Sequence, residues 1–246
     1  MIVTNHKDRN FSPVQKLFLN FATSEATKMK RTPVCTEDGT YTFKIEELGE
    51  CYHSSRGARR EAQEVYLQAG LAYYLLHHPQ AHSVRLFEMG FGAGLNAWLT
   101  YQYANEHQIV IEYITVEKYP IDIEELQTLP YHSDPDFTVL HQAPWELPQP
   151  CTPYFCLLKQ QADMLLYTPP KSIDVVYFDA FAPNIQPDLW SPDLFAALYR
   201  SMRSGAVLVT YSAKGSVKQA LRAAGFTLQR LKGSGGKRHM LRAIKE

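Results

Sequence analysis

The sequence predicts an α/β chain built on a doubly wound sheet, and three observations predict it. Apolar runs of strand length near residues 84–89, 109–116, 154–158, 173–178 and 206–211 alternate with stretches of helical period. The first run breaks into glycines at every second position, Gly90, Gly92 and Gly94, just where the helical pattern Leu95 to Tyr103 begins. Acids stand beyond the carboxyl ends of three later runs, as Glu117, Asp163 and Asp179, where the ligand crevice of such a sheet opens.

At 246 residues, 45% of them hydrophobic, the chain can bury one sizeable core and a small appendage. The pattern divides it into an extension at 1–30, an N-terminal hairpin and helix cap at 31–80, and a main domain at 81–246. No apolar run has the length of a membrane span and the start lacks a signal-peptide core, so a cytoplasmic protein is expected. Cysteines 35, 51, 151 and 156 form no C-x-x-C pair and the histidines show no ligand spacing, so reduced thiols and no metal are expected. Formal charge is zero but uneven. From Glu106 to Asp163 ten acids stand against Lys118 and Lys159, and from Arg200 onward eleven Lys or Arg stand against Glu246 alone. The basic third reads either as a face for an anionic macromolecule or as an ordinary solvated surface.

In order, residues 1–30 are polar with one weak apolar cluster, Val14, Leu17, Phe18, Leu19 and Phe21, and Met29 is a candidate alternative start. A turn at Thr36–Thr40 leads into Tyr41–Ile45, which with Cys51–Ser54 predicts a hairpin. His53 and Ser54 read as hairpin polar groups ahead of catalysts. Val65, Leu67, Leu71, Tyr74 and Leu75, closed by Pro79, predict an amphipathic helix over 58–78, placed to cover the glycine loop. Residues 120–153 read as loop around one short helix, 123–128. Ser191 caps a helix with Pro192 at its first position, running to Arg203 and ended by Gly205. A strand at 206–211, a helix at 215–224 closed by Gly225, and a pair at 226–231 and 239–244 complete the chain.

Alternating glycines let the backbone take φ > 0 and approach a ligand with no Cβ in the way, with the free N–H groups of the next helix behind them. Dinucleotide folds prefer G-x-G-x-x-G; here the order is G-x-G-x-G with Glu88 ahead of it. That arrangement resembles motif I of class I S-adenosylmethionine methyltransferases, in which the acid holds the ligand's ammonium. Glu117, at the end of the second strand, is positioned for ribose hydroxyls. Asp163 reads equally as an adenine contact and as an N-cap for Met164–Tyr167.

The fourth strand delivers Asp179-Ala180-Phe181-Ala182-Pro183 and then Pro187-Asp188-Leu189-Trp190. A carboxylate, a ring and a proline-stiffened turn resemble the acid-proline-aromatic motif of amino-directed methyltransferases. The carboxylate can orient an attacking amine and offset the charge growing on nitrogen. With Phe87 to Asn96, Val116-Glu117-Lys118-Tyr119-Pro120 and Leu194-Phe195, the chain from about residue 36 to 243 resembles the methyltransferase domain of bifunctional tRNA 5-methylaminomethyl-2-thiouridine biosynthesis proteins. Tyr52-His53-Ser54 with Gly57-Ala58 and Glu61 is closer to their stand-alone relatives, and Ala93 replaces a commonly seen Thr.

The resemblance implies a class I, Rossmann-like seven-stranded sheet with an antiparallel last strand, plus the small N-terminal hairpin and helix. It implies S-adenosyl-L-methionine held by Glu88, Gly90, Gly92, Gly94, Asn96, Glu117, Asp163 and Asp179, with Asp179 and Phe181 at the substrate amine. The activity implied is methylation of the 5-aminomethyl group of the tRNA wobble uridine, with Lys232, Lys237, Arg238 and Arg242 on phosphates. Because the chain stops at Glu246, before any flavin domain, a separate FAD-dependent oxidoreductase is the implied partner. Two other readings stay open: a polyamine aminopropyltransferase, and a non-catalytic tRNA-binding subunit.

Overall fold

The computed structural model describes residues 29–246, so the 14–21 apolar cluster and nearly all of the 1–30 extension lie outside the described residues. Three strands, β1 (Arg31–Cys35), β2 (Tyr41–Ile45) and β3 (Glu50–Cys51), form a small antiparallel sheet in that order. The predicted hairpin is therefore three-stranded. The first strand escapes a pattern reading because it is short and carries Pro33, which an edge strand tolerates.

Helix α1 then runs as Ala58–Glu61, a π-helical stretch Ala62–Ala72, and Tyr73–His77. The π stretch packs directly on the main sheet: a Cβ at Gly70 would come 2.9 Å from Val209 Cγ2 and 3.0 Å from Tyr177 Cε1. Helical periodicity predicts this element but not its wider turns, which are often tied to functional sites.

The main sheet uses β4 (Ser83–Met89), β5 (Val110–Glu117), β6 (Gln149–Thr152), β7 (Phe155–Gln161), β8 (Ile173–Phe178), β9 (Met202–Thr210), β10 (Thr227–Lys232) and β11 (His239–Ile244). Their order is β10-β11-β9-β8-β4-β5-β7-β6. The five inner strands from β9 to β7 are parallel, and the last strand, β11, runs antiparallel between β9 and β10. That is the expected seven-stranded sheet, with β6 added antiparallel on its outer edge. Successive residues of β4 and β8 alternate between two cores. Leu86, Val175 and Tyr177 face α1, and α2 (Leu95–His107) joins them there; Phe87, Val176 and Phe178 face the other side with Trp190 and Phe195.

Residues 120–153 depart from the loop expectation. Besides α3 (Ile123–Leu126) they hold α4 (Pro135–Gln142), whose N-cap Asp134 accepts the Asp136 N–H at 2.8 Å and the Phe137 N–H at 3.3 Å. An Asp-Pro start is a legible helix signal; the surrounding prolines and acids mask it. Helix α5 (Pro192–Ser201) begins on Ser191 as expected but ends sooner, because β9 starts at Met202. Gly205, at φ 77° and donating its N–H to the Lys245 carbonyl, lies within that strand and does not end the helix. The last helix, α6 (Gly215–Ala223), is as expected.

Candidate active site

The carboxyl ends of β4, β5, β7 and β8 open into one crevice of about 290 Å³, roofed by Tyr52 and His53 from the end of the small sheet. This volume sits at the lower end of the roughly 300–1,000 Å³ of small-molecule sites. Two glycines of the loop are there for steric reasons. A Cβ at Gly90 (φ 92°) would come 2.8 Å from the Asp179 carbonyl oxygen, and one at Gly92 (φ 51°) would come 2.8 Å from the Tyr52 ring. A side chain at either position would force apart the strand ends or lift the roof.

Glu117, Asp163, Asp179 and Phe181 line this crevice with Gly90 and Gly92. Glu117 accepts the Gly92 N–H at 3.1 Å and the Tyr119 N–H at 2.8 Å, which braces the glycine loop against β5. Asp163 accepts the Leu165 N–H at 3.0 Å and Lys118 Nζ at 2.8 Å, so it both caps its turn and faces the crevice. The roof is fastened by Arg31, which donates to Tyr52 Oη, Glu125 Oε2 and the Tyr119 carbonyl, each at 3.0 Å. Burial and the Glu117 charge push the Tyr52 phenol up to about 12, so Tyr52 stays neutral.

Asp179 is the most constrained of these groups, its side chain only 7% exposed. Oδ1 accepts the Tyr66 hydroxyl at 2.7 Å, Oδ2 accepts Asn96 Nδ2 at 2.8 Å, and His53 Nε2 stands 3.6 Å from Oδ2. Burial raises its pKa, against the opposing pull of His53. Burial and the Asp179 charge in turn raise Tyr66 well above the ordinary phenol range, which keeps it a donor.

Three of the residues assigned from the resemblance to the cofactor stand elsewhere. Glu88 is fully buried beneath the loop and is not on the crevice wall; the polar side chains of Tyr113, Asn96 and Thr115 stand beside its carboxyl. Burial, then repulsion from Asp179, lifts its carboxyl to about 8. Gly94 faces His141 and Phe91, and Asn96 reaches the site only through Asp179.

The basic set divides. Lys232 and Arg238 are exposed. Lys237 pairs with Glu61 and lies over the Tyr211 ring. Arg242 is 8% exposed, donates Nε to the Ala69 carbonyl and Nη1 to Gln229 Oε1, each at 2.8 Å, stacks 3.3 Å from the Tyr73 ring, and lines one hollow with Lys232 and Arg60. A strand alternation places it on the inner face under α1, where a sequence count of charges does not look.

Sequence reasoning passed over His53 and Tyr66. The first sits in the Tyr52-His53-Ser54 segment but reads as a hairpin polar group; the second lies mid-helix, where its register with Asp179 depends on the π turns.

Residues 156–246 match the family described as S-adenosyl-L-methionine-dependent methyltransferases. The chain is 31% identical over 226 residues to the tRNA 5-methylaminomethyl-2-thiouridine biosynthesis bifunctional protein MnmC of Ralstonia nicotianae, covering 85% of this chain and 33% of that protein. It is 30% identical over 230 residues to the protein of that name in Burkholderia mallei, covering 85% and 34%. The chain thus spans about a third of the length of these curated relatives. Its fold matches the crystal structure of MNMC2 from Aquifex aeolicus with TM-score 0.74 and 24% identity over 94% of this chain and 75% of that one. It also matches a probable spermidine synthase from Corynebacterium glutamicum with TM-score 0.56 and 16% identity, over 90% and 78%. The chain has the S-adenosyl-L-methionine-dependent methyltransferase fold, carries that family's match over 156–246, and is homologous over 85% of its length to part of the bifunctional MnmC proteins.

Proposed function

We propose that the chain transfers a methyl group from S-adenosyl-L-methionine to the 5-aminomethyl group of a tRNA wobble uridine. The observation that carries this reading is Asp179, held by Tyr66 and Asn96 at the mouth of the crevice its relatives would fill with the donor. The crevice fits that donor. Its glycines leave a Cβ-free wall, Glu117 at the end of β5 offers a carboxylate to ribose hydroxyls, and Met164 and Ile185 line the same crevice as Asp163 with apolar surface for an adenine. The bound donor supplies an electrophilic methyl on a sulfonium. The protein's part is to place the amine: the Asp179 carboxylate orients it, offsets its developing positive charge, and is itself fixed so that no reorganisation is needed. Phe181, in edge contact with Tyr52 at 5.2 Å, offers a ring for a flat base that has left its stack.

In this reading residues 31–80 are a cap over an 81–246 methyltransferase domain, and Lys232 and Arg238 meet phosphates. Arg60 faces Lys232 across a surface hollow of about 510 Å³ beside the Gly233–Gly236 loop and extends that basic face. The amine would be exposed by an FAD-dependent oxidoreductase activity. Among the described residues no helix is long and apolar enough to cross a membrane.

The shared fold also admits a second reading, a polyamine aminopropyltransferase using decarboxylated donor. That donor keeps the ammonium and lacks only the carboxylate, so the buried place of Glu88 does not separate the two. Calorimetry with each donor form separates the two. The decisive assay is labelled methyl transfer to bulk tRNA lacking the wobble methyl, followed by nucleoside analysis. Label in 5-methylaminomethyluridine supports the first reading, and no label in tRNA overturns it.

A further inference from the structure

His53 is 7% exposed, lines the crevice, and its Nε2 has no hydrogen-bond partner among the described residues. A buried ring nitrogen without a partner costs free energy unless a ligand completes it. Asp179 Oδ2 stands 3.6 Å from it, too far for a hydrogen bond. Two polar atoms at that separation can both lie about 2.9 Å from a single nitrogen set between and above them. Oδ1 is already occupied by Tyr66, and Oδ2 keeps free acceptor capacity beyond Asn96.

We propose that His53 Nε2 and Asp179 Oδ2 form a two-point receptor for the substrate amine, and that His53 takes the proton which turns the bound ammonium into a nucleophile. This rests on the methyltransferase reading above. A primary alkylamine reaches the site mostly as R–NH3+, which has no lone pair to give. In the step, one N–H bond breaks, its electron pair stays on nitrogen, and the proton passes to Nε2. The products are R–NH2 and an imidazolium beside the Asp179 carboxylate, with charge conserved. The lone pair so released would form the new N–C bond as the donor's methyl C–S bond breaks, its electron pair passing to sulfur to leave a neutral thioether and the positive charge passing to the methylated nitrogen; the imidazolium later returns its proton to solvent.

The surroundings suit this role. Asp179 faces the ring from the end of β8. Glu61, on α1, accepts the Ser54 N–H at 3.0 Å with Oε1 and holds Lys237 with Oε2. Tyr66 on α1 and Tyr211 after β9 have raised pKa values through burial and the charge of Asp179, so both remain neutral. Glu88 lies below, pushed to about 8. The anion facing the ring on this face is thus the Asp179 carboxylate, while Lys237 is paired with Glu61. The main chain at His53 is held by its N–H, which donates to Thr42 Oγ1 at 3.2 Å.

The test compares wild type with His53→Gln and His53→Asn in single-turnover methyl transfer to aminomethyl-bearing tRNA from about pH 6 to 10. Loss of a general base typically costs about 10²–10⁴-fold. The expected result is such a loss at neutral pH that shrinks steadily toward pH 10, where the amine deprotonates by itself, with donor affinity unchanged. A second readout needs no donor. By fluorescence anisotropy, wild type should prefer aminomethyl-bearing tRNA over unmodified tRNA, and both variants should lose that preference while still binding tRNA. Full activity in the variants at neutral pH, or a loss equal at every pH, overturns the role of His53. If wild type transfers no methyl to this tRNA at any pH, the methyltransferase reading itself has failed, which is a distinct outcome.

Discussion

Tyr66 donates its hydroxyl to Asp179 Oδ1 at 2.7 Å, joining the π-helical part of α1 to the carboxyl end of β8 across 113 residues of sequence. The bond connects the N-terminal cap to the reactive edge of the sheet, and it gives the two residues separable roles. In the proposed reaction Asp179 meets the amine, whereas Tyr66 aims Asp179. Asp179→Ala should therefore lower methyl transfer by about 10²–10⁴-fold with donor affinity nearly kept. Tyr66→Phe leaves a buried carboxylate oxygen unpaired, at a cost of about 1–3 kcal/mol. It should slow turnover by roughly ten- to a hundredfold with unchanged KM for donor. Steady-state kinetics of both variants checks the ordering; a Tyr66→Phe enzyme slower than Asp179→Ala contradicts it.

Glu117 carries a different part of the load. Its two oxygens brace the Gly92 and Tyr119 N–H groups, and in the proposed complex they also accept ribose hydroxyls. Hydrogen bonds to a charged group contribute about 1.5–3 kcal/mol each. Glu117→Ala should thus weaken donor binding at least tenfold by calorimetry, and turnover at saturating donor should recover most of its wild-type value. Unchanged affinity would remove Glu117 from the donor site.

Much of this arrangement is legible in sequence because it is carried by local pattern. Strand, glycine turn and acid follow one another within a few residues at Met89–Gly94, Val116–Glu117 and Phe178–Asp179, and backbone topology alone brings those ends together. What is not legible depends on contacts between distant elements. Arg242 reads as one more surface cation until strand β11 is seen to place it inward beneath α1. His53 reads as a hairpin polar group until the small sheet is folded over the crevice. Glu88 fits a motif by spacing, yet the pleat of β4 turns it below the loop, between Tyr113 and Asp179.

The basic face offers a salt test. Lys232 and Arg238 are exposed, so in the proposed complex their contribution to tRNA binding should be nearly pure counterion release. The pair of substitutions Lys232→Ala and Arg238→Ala should weaken tRNA binding and reduce the slope of log affinity against log salt by about 1–2. Arg242→Ala, by contrast, should lower thermal stability through lost packing on Tyr73 and a freed Ala69 carbonyl. Folded Arg242→Ala protein should keep the wild-type salt slope. Titrations at several salt concentrations distinguish the two classes, and an unaltered slope in the double variant would clear this face of phosphate contact.

Glu88 predicts an unusual stability profile for the donor-free protein. Its folded carboxyl is lifted to about 8 from an ordinary value of 4.5, so between those values the folded state binds more protons than the unfolded one. Stability must then fall as pH rises through that window, with no penalty below about 4.5 and the full penalty above about 8. Glu88→Gln removes the titration and keeps the shape. Relative to wild type it should be close to neutral near pH 5 and stabilising by a few kcal/mol near pH 8.5, at 1.36 kcal/mol per pKa unit. Two other buried groups titrate nearby. His141, lowered to about 3 by burial and then the Lys159 charge, loses stability as pH falls below 6.5, and Lys159, lowered to about 8 by burial, gains it as pH rises from 8 to 10.5. Both are common to wild type and variant and cancel in the difference. Denaturation midpoints of the two proteins from pH 5 to 8.5 decide the matter: a gap that does not widen with pH means that the Glu88 carboxyl does not titrate in this window, and the predicted lift is overturned.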